Sequence, residues 1–228
     1  MEPQKSQCDF NSDIFRGIRL KDAGKSHRPN HATSLLAWYV KLRKNTFSVV
    51  ELGCGSGILS IYLAKAHGVK VTGIEKSALL AEIARLSVGE NKMSDLVEIR
   101  NCSCGEVKSC FKAESFDAVV SNPPHHLFNV PSKDPVRRQT RTATLKTLDE
   151  FVFATSYLLK NRGEFYYVVS AEHLLSWIER LSERSLRVKN IRFAHGKFSS
   201  KAELALIRGV KNGGPGLIVE PPVFLRKD

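Results

Sequence analysis

At 228 residues, with 42% hydrophobic and 25% charged side chains, the chain is sized for one globular domain around a single core. Thirty-five Lys and Arg against 23 Asp and Glu leave a net charge of +12, a field that attracts polyanions and puts nucleic acid first among expected partners. No apolar run reaches the ~18 residues of a membrane span, and "MEPQKSQCDFNSD" has no apolar stretch to serve as a secretory signal, so a cytoplasmic protein is expected.

The first 30 residues are polar and are the one candidate appendage. The apolar, β-branched run "FSVVEL" (47–52) then predicts a strand that ends in glycines, followed by a helix over "GILSIYLAKAHG" (57–68) that stops at Gly68. "VKVTGIE" (69–75) reads as the next strand and "SALLAEIARLSVGENK" (77–92) as a helix with Ser77 at its N-cap. "LVEIRN" (96–101) and "FDAVVSN" (116–122) are further strands. Beyond a polar, basic stretch, "TLDEFVFATSYLLKNRG" (147–163) predicts an amphipathic helix closing on Gly163, before a strand "EFYYVVS" (164–170) and a helix over 171–185. Two last strands, 186–195 and 202–210, are adjacent in sequence and predict an antiparallel edge hairpin. The alternation predicts an α/β fold: a doubly wound, mostly parallel, seven-stranded sheet.

The five cysteines (8, 54, 102, 104 and 110) are too few and too unevenly spaced for a disulfide scaffold, so free thiols are expected. Three of them form "CSCGEVKSC", but a structural zinc site wants a second cysteine pair, which the sequence lacks. His125 and His126 are adjacent, so on an extended chain they point opposite ways and rarely bind one ion. No metal is expected.

Open α/β sheets bind ligands at the carboxyl ends of their strands. The first strand ends in "ELGCGSG" (51–57), where Gly53, Gly55 and Gly57 allow a tight turn and close approach of a ligand to the backbone. The second ends at Glu75, 18 residues past Gly57, where a carboxylate can accept from both ribose hydroxyls. The spacing G-x-G-x-G differs from the dinucleotide fingerprint, and the acid Glu51 beside it repels a pyrophosphate but suits a cationic amino acid or sulfonium. That combination favours S-adenosylmethionine over NAD.

The fourth strand ends in "SNPPHH" (121–126), which this sheet order places beside the glycine loop. The side-chain oxygen of Asn122 and the backbone carbonyl of Pro123 can accept from the two N–H bonds of an amine. The prolines Pro123 and Pro124 fix φ and carry no competing N–H. A ring after them, His125 or Phe128, can stack on a flat target.

These residues resemble the class I S-adenosylmethionine-dependent methyltransferases, with "ELGCGSG" as the cofactor loop and "SNPPHH" as the N/D-P-P-aromatic motif of amino-methyltransferases. "HATSLLAWYV" (31–40) and "FAHGKFSSKAELALIRGVKNGGPGLIVEPPVFL" (193–225) resemble segments of the bacterial tRNA(valine) adenine-N6-methyltransferase family, which modifies position 37. The resemblance covers roughly residues 15–225; residues 31–228 are expected to form the methyltransferase domain, with the polar residues 1–30 as a partly ordered extension. It implies that Glu51, Gly53, Cys54, Gly55, Gly57, Glu75, Ser103 and Asn122 face the cofactor, with Asn122, Pro123, Pro124 and His125 at the target amine. Phe128 and Arg141 would meet the substrate base or a phosphate, and tRNA phosphates would run along Arg137, Arg138 and Lys146. His125 stands where the family has a tyrosine, and Ser103 where it has an acid near the cofactor adenine. Ribosomal RNA methylation at guanine N2 or adenine N6, protein glutamine-N5 methylation and RNA binding without catalysis are the alternatives. Whether the protein is a monomer or a homodimer is open.

Overall fold

The computed structural model describes residues 10, 13–21, 30–124 and 145–225. Helix α1 (His31–Tyr39) precedes an alternating series: β1 (Ser48–Leu52), α2 (Ile58–His67), β2 (Lys70–Glu75), α3 (Ala78–Glu90), β3 (Val97–Asn101), the short α4 (Val107–Cys110) and β4 (Phe116–Ser121). Then come α5 (Leu145–Leu158), β5 (Leu159–Ser170), α6 (Leu174–Glu183), β6 (Leu186–His195), β7 (Ala202–Lys211) and β8 (Ile218–Phe224). They form one sheet in the order β3-β2-β1-β4-β5-β7-β6-β8. Strands β1 to β5 pair in parallel, and β7 runs antiparallel to both β5 and β6. The expected doubly wound α/β fold is therefore present.

Successive strand residues point to opposite faces of the sheet, and each face builds its own core. Val49, Val71, Ala118, Val120 and Tyr166 face α1, α2 and α3. Val50, Leu52, Val119, Phe165 and Tyr167 face α5 and α6, packing with Leu148, Phe151 and Trp177. Local chemistry sets the helix starts: Asn30 caps α1 by accepting from the Thr33 N–H, and Ser77 caps α3 by accepting from the Leu80 N–H. In the amino-terminal segment, Phe10 lies edge-on to Trp38 and Phe15 edge-on to Tyr62. Lys21 pairs with Glu90 of α3 at 2.7 Å.

Three boundaries differ from expectation. The helix expected to reach Gly163 ends at Leu158, and β5 starts at Leu159. Its first residue already pairs with Phe116, and the register then skips to Ala118–Glu164, so residues 160–163 bulge out opposite Asp117. Lys160 anchors that bulge on Asp117 at 2.7 Å, a contact that no local pattern could announce. The second difference is one of order: the expected antiparallel hairpin of β6 and β7 is present, with the later strand β7 next to β5 and β6 outside it. The third is the additional strand β8, paired in parallel with β6. Pro221 and Pro222 lie inside it rather than at its end, where the register shifts between Arg192 and Ala194. An edge strand with a bulge tolerates residues that cannot donate to a ladder.

Candidate active site

The strand order reverses between β1 and β4: β2 and β3 lie on one side, β5 on the other. That switch point opens a crevice at the carboxyl ends of the strands. Leu52 pairs with Ser121, so the glycine loop after β1 and Asn122 after β4 leave the sheet side by side. The Ser121 hydroxyl donates to the Leu52 carbonyl at 3.0 Å and fastens the two ends together.

The loop is closed by its own backbone. The N–H groups of Gly53 and Cys54 both donate to the Ile74 carbonyl, at 2.8 and 3.0 Å, and Gly57 N–H donates to the Cys54 carbonyl at 2.9 Å. Gly53, Gly55 and Gly57 have φ of 73°, 54° and 82°, a left-handed geometry that disfavours side chains. A Cβ at Gly55 would meet nothing within 4 Å, so this part of the loop faces open space. Cys54 is buried, with its sulfur beside Gly73 of β2, so its contribution is to the turn.

Two acids flank the loop in different ways. Glu75 is buried; its Oε2 accepts from Gly55 N–H at 3.0 Å and its Oε1 from Ser77 N–H at 2.9 Å. A carboxylate has about four acceptor sites, so two remain for a ligand. Glu51 lies deeper, and Ser60 of α2 donates to its Oε2 at 2.5 Å. Burial pushes its carboxyl up to about 8, against the pull of the Ser60 hydrogen bond.

On the far side of β2, Asn101 pairs in register with Glu75, so Ser103 stands at the same rim. Its hydroxyl accepts from Gly105 N–H at 3.2 Å and caps a 3-10 turn over Cys104–Glu106. Glu150 of α5 brings a carboxylate to this turn: a Cβ on Gly105 would lie 3.3 Å from its Cδ. The expectation of free thiols is corrected at one pair, because Cys102 and Cys110 are disulfide-bonded. The 3-10 turn and α4 fold the chain back so that position 110 returns over 102. Cys54 and Cys104 remain buried thiols, and burial raises both above the usual range.

Asn122 is the central polar group. Its Nδ2 donates to the Thr33 hydroxyl at 2.9 Å. Its Oδ1 is shielded from water and takes no hydrogen bond among the described residues. An orphaned buried acceptor of this kind calls for an explanation, and a ligand donor supplies one. Pro123 is buried and Pro124 half-buried directly after it. Lys146 is exposed in the first turn of α5. His125, Phe128, Arg137, Arg138 and Arg141 lie outside the described residues.

The structure thus brings Glu51, Gly53, Gly55, Gly57, Glu75, Ser103 and Asn122 to one rim. Sequence reading passes over Thr33, Ser60 and Glu150, which join this rim through contacts made in the fold, and sees Ser77 only as a helix cap. Only the serine at an N-cap, Ser77, carries a local signal.

A family model described as "Methyltransferase small domain" matches residues 26–189. A tRNA1(Val) (adenine(37)-N6)-methyltransferase of Dickeya chrysanthemi is 28% identical over 186 residues, which span 79% of this chain and 71% of that protein. One of the same name from Shewanella frigidimarina is 21% identical over 220 residues, 93% and 87% of the two chains. A third, from Cytophaga hutchinsonii, is 20% identical over 66% of this chain, and the match spans 63% of that relative's length. Among solved structures, a predicted O-methyltransferase of Agrobacterium tumefaciens superposes with a TM-score of 0.67 at 17% identity, covering 86% and 88% of the two chains. A geranyl diphosphate methyltransferase in complex with SAM gives a TM-score of 0.57 at 13% identity, covering 78% and 84%.

Proposed function

Because the chain belongs to the methyltransferase small domain family and is a methyltransferase, we propose that it methylates the exocyclic N6 amine of an adenine in tRNA, at position 37 of a valine tRNA. S-adenosylmethionine is the donor in this reading. The observation that carries it is the Oδ1 of Asn122, buried and unpartnered among the described residues, beside the glycine loop at the switch point of the sheet. Three relatives named for this reaction support the choice of nucleotide.

The residues present fit the cofactor. Gly53, Gly55 and Gly57 leave backbone approachable, the free acceptor sites of Glu75 suit ribose hydroxyls, and Ser103 with Glu150 borders the place for an adenine. Glu51, which burial keeps neutral in the free protein, would ionise to supply negative charge beneath a cationic ligand. When bound, S-adenosylmethionine supplies a methyl group already activated on a sulfonium, so the protein needs no nucleophile of its own.

The task left to the chain is to hold a poor nucleophile. An adenine amine delocalises its lone pair into the ring. Asn122 Oδ1 and the Pro123 carbonyl accept from its two N–H bonds and keep the remaining density aimed at the methyl group. Pro123 and Pro124 stiffen that carbonyl and offer no competing donor. The gain is positioning and electrostatic preorganisation. The basic stretch with Arg137, Arg138, Arg141 and Lys146 follows the grip directly and would track tRNA phosphates, with His125 or Phe128 stacking on the base.

Asn122→Ala tests this reading. Methyl transfer to tRNA should fall by at least about a hundredfold, while S-adenosylmethionine binding by calorimetry stays within about twofold. Retained turnover would rule out the amine grip.

A further inference from the structure

Which end of the Asn122 amide faces the target decides whether it can grip an amine at all. The carbonyl oxygen accepts from N–H bonds, whereas the NH2 group would repel them. The two ends have nearly the same shape, so packing alone does not choose between them. Something has to set the polarity.

We infer that Thr33, itself held by Asn30, is a positioning residue that orients the Asn122 side chain with its oxygen toward the acceptor amine. This rests on the reading that Asn122 grips that amine. The chain of reasoning starts at Asn30, the cap of α1. Its Oδ1 accepts from the Thr33 backbone N–H at 3.0 Å, and a backbone N–H can only donate, so that atom is the oxygen. The same oxygen lies 3.1 Å from the Thr33 hydroxyl and has a second lone pair to take its hydrogen. A hydroxyl has one hydrogen, so toward Asn122 it presents a lone pair. Only the NH2 end of the Asn122 amide can meet a lone pair, and Nδ2 does so at 2.9 Å. A flipped amide would set two acceptors face to face.

The oxygen therefore points away from α1, and it is the atom left buried and without a partner among the described residues. A helix cap far earlier in the chain, Asn30, thus determines the polarity of the grip by two hydrogen bonds. Leaving a buried acceptor open costs stability. A structural amide would be satisfied at both ends; among the described residues this one is satisfied only at the end away from its proposed target.

Thr33→Val removes the hydroxyl at nearly constant shape, and Thr33→Ser keeps it. With bulk tRNA and labelled S-adenosylmethionine, Thr33→Val should lower kcat about 10-fold to 100-fold. KM for tRNA should change no more than about threefold, and S-adenosylmethionine affinity no more than about twofold. Thr33→Ser should recover kcat to within about threefold of the parent. A Thr33→Val kcat within twofold of the parent overturns the inference, as does a loss that serine fails to restore or one that appears equally in cofactor affinity. Asn122→Ala, assayed in parallel, separates the two readings. If it is inactive while Thr33→Val is fully active, the grip stands and the relay falls. If it remains active, the grip itself falls.

Discussion

Glu51 is 4% exposed, beside a loop that the proposed function fills with a cation. Burial favours its neutral form, so its folded-state carboxyl is raised from 4.5 to about 8. Between those values the folded protein holds a proton that the unfolded chain releases. Stability from this group is therefore greatest below about 4.5 and declines as pH rises toward about 8. A cationic ligand reverses the preference by favouring the carboxylate. S-adenosylmethionine affinity should accordingly rise roughly tenfold from pH 6 to pH 8, with protons released on binding in calorimetry. Glu51→Gln should abolish that release; an unchanged pH slope in the variant would assign the titration elsewhere. At this scale the glycines, Glu75 and Asn122 are legible in the sequence because each follows a strand with a recognisable apolar pattern. Thr33 and Glu150 are not, because their partners are brought close only by the sheet. The Thr33–Asn122 hydrogen bond spans 89 positions.

Strands β1 and β4 carry both halves of the site, and one side chain fastens their far ends. Asp117 Oδ2 accepts from the backbone N–H groups of Phe47 and Ser48, each at 2.9 Å, and from the Ser48 hydroxyl at 3.0 Å. Its Oδ1 pairs with Lys160 in the bulge of β5. Partial burial pushes the Asp117 carboxyl up, but the hydrogen bonds from Lys160, Phe47 and Ser48 outweigh it and hold it down at about 2. A depressed folded value gives stability that is present above 3.8 and lost as pH falls through about 2. Asp117→Ala should cost about 1–3 kcal/mol in urea unfolding at pH 7, and the difference from the parent should shrink on acidification. An equal deficit at pH 2 would mean that the carboxylate charge contributes nothing. The same contacts explain why β5 is misread from sequence: "KNRG" carries helix-ending signals, yet Phe116 and Asp117 recruit residues from 159 onward into the sheet. The repeating strand–helix units were legible because their apolar periods are clean and some carry a stop or a cap, such as Gly68 after α2 and Ser77 before α3. The strand β8 was not, since two prolines disguise it and only its place at the edge permits them.

At the scale of the molecule, the topology sends the loop after β1 and the motif after β4 to one crevice, and the sequence alternation already implied that convergence. The net charge of +12 belongs to the same account, since a polyanionic substrate is drawn to a cationic protein whichever base it presents. The acceptor itself is a finer matter. An Asn-Pro-Pro grip suits an adenine amine, a guanine amine or a glutamine amide on chemical grounds alone. The nucleotide is therefore the central claim, and its most direct test is to locate the methyl group. The protein is incubated with isotopically labelled S-adenosylmethionine and total RNA from a strain lacking the gene, and the labelled nucleotide is mapped by mass spectrometry. The account predicts N6-methyladenine at position 37 of a valine tRNA, with none formed by Asn122→Ala. Label on guanine N2, on ribosomal RNA, or on protein alone would contradict it.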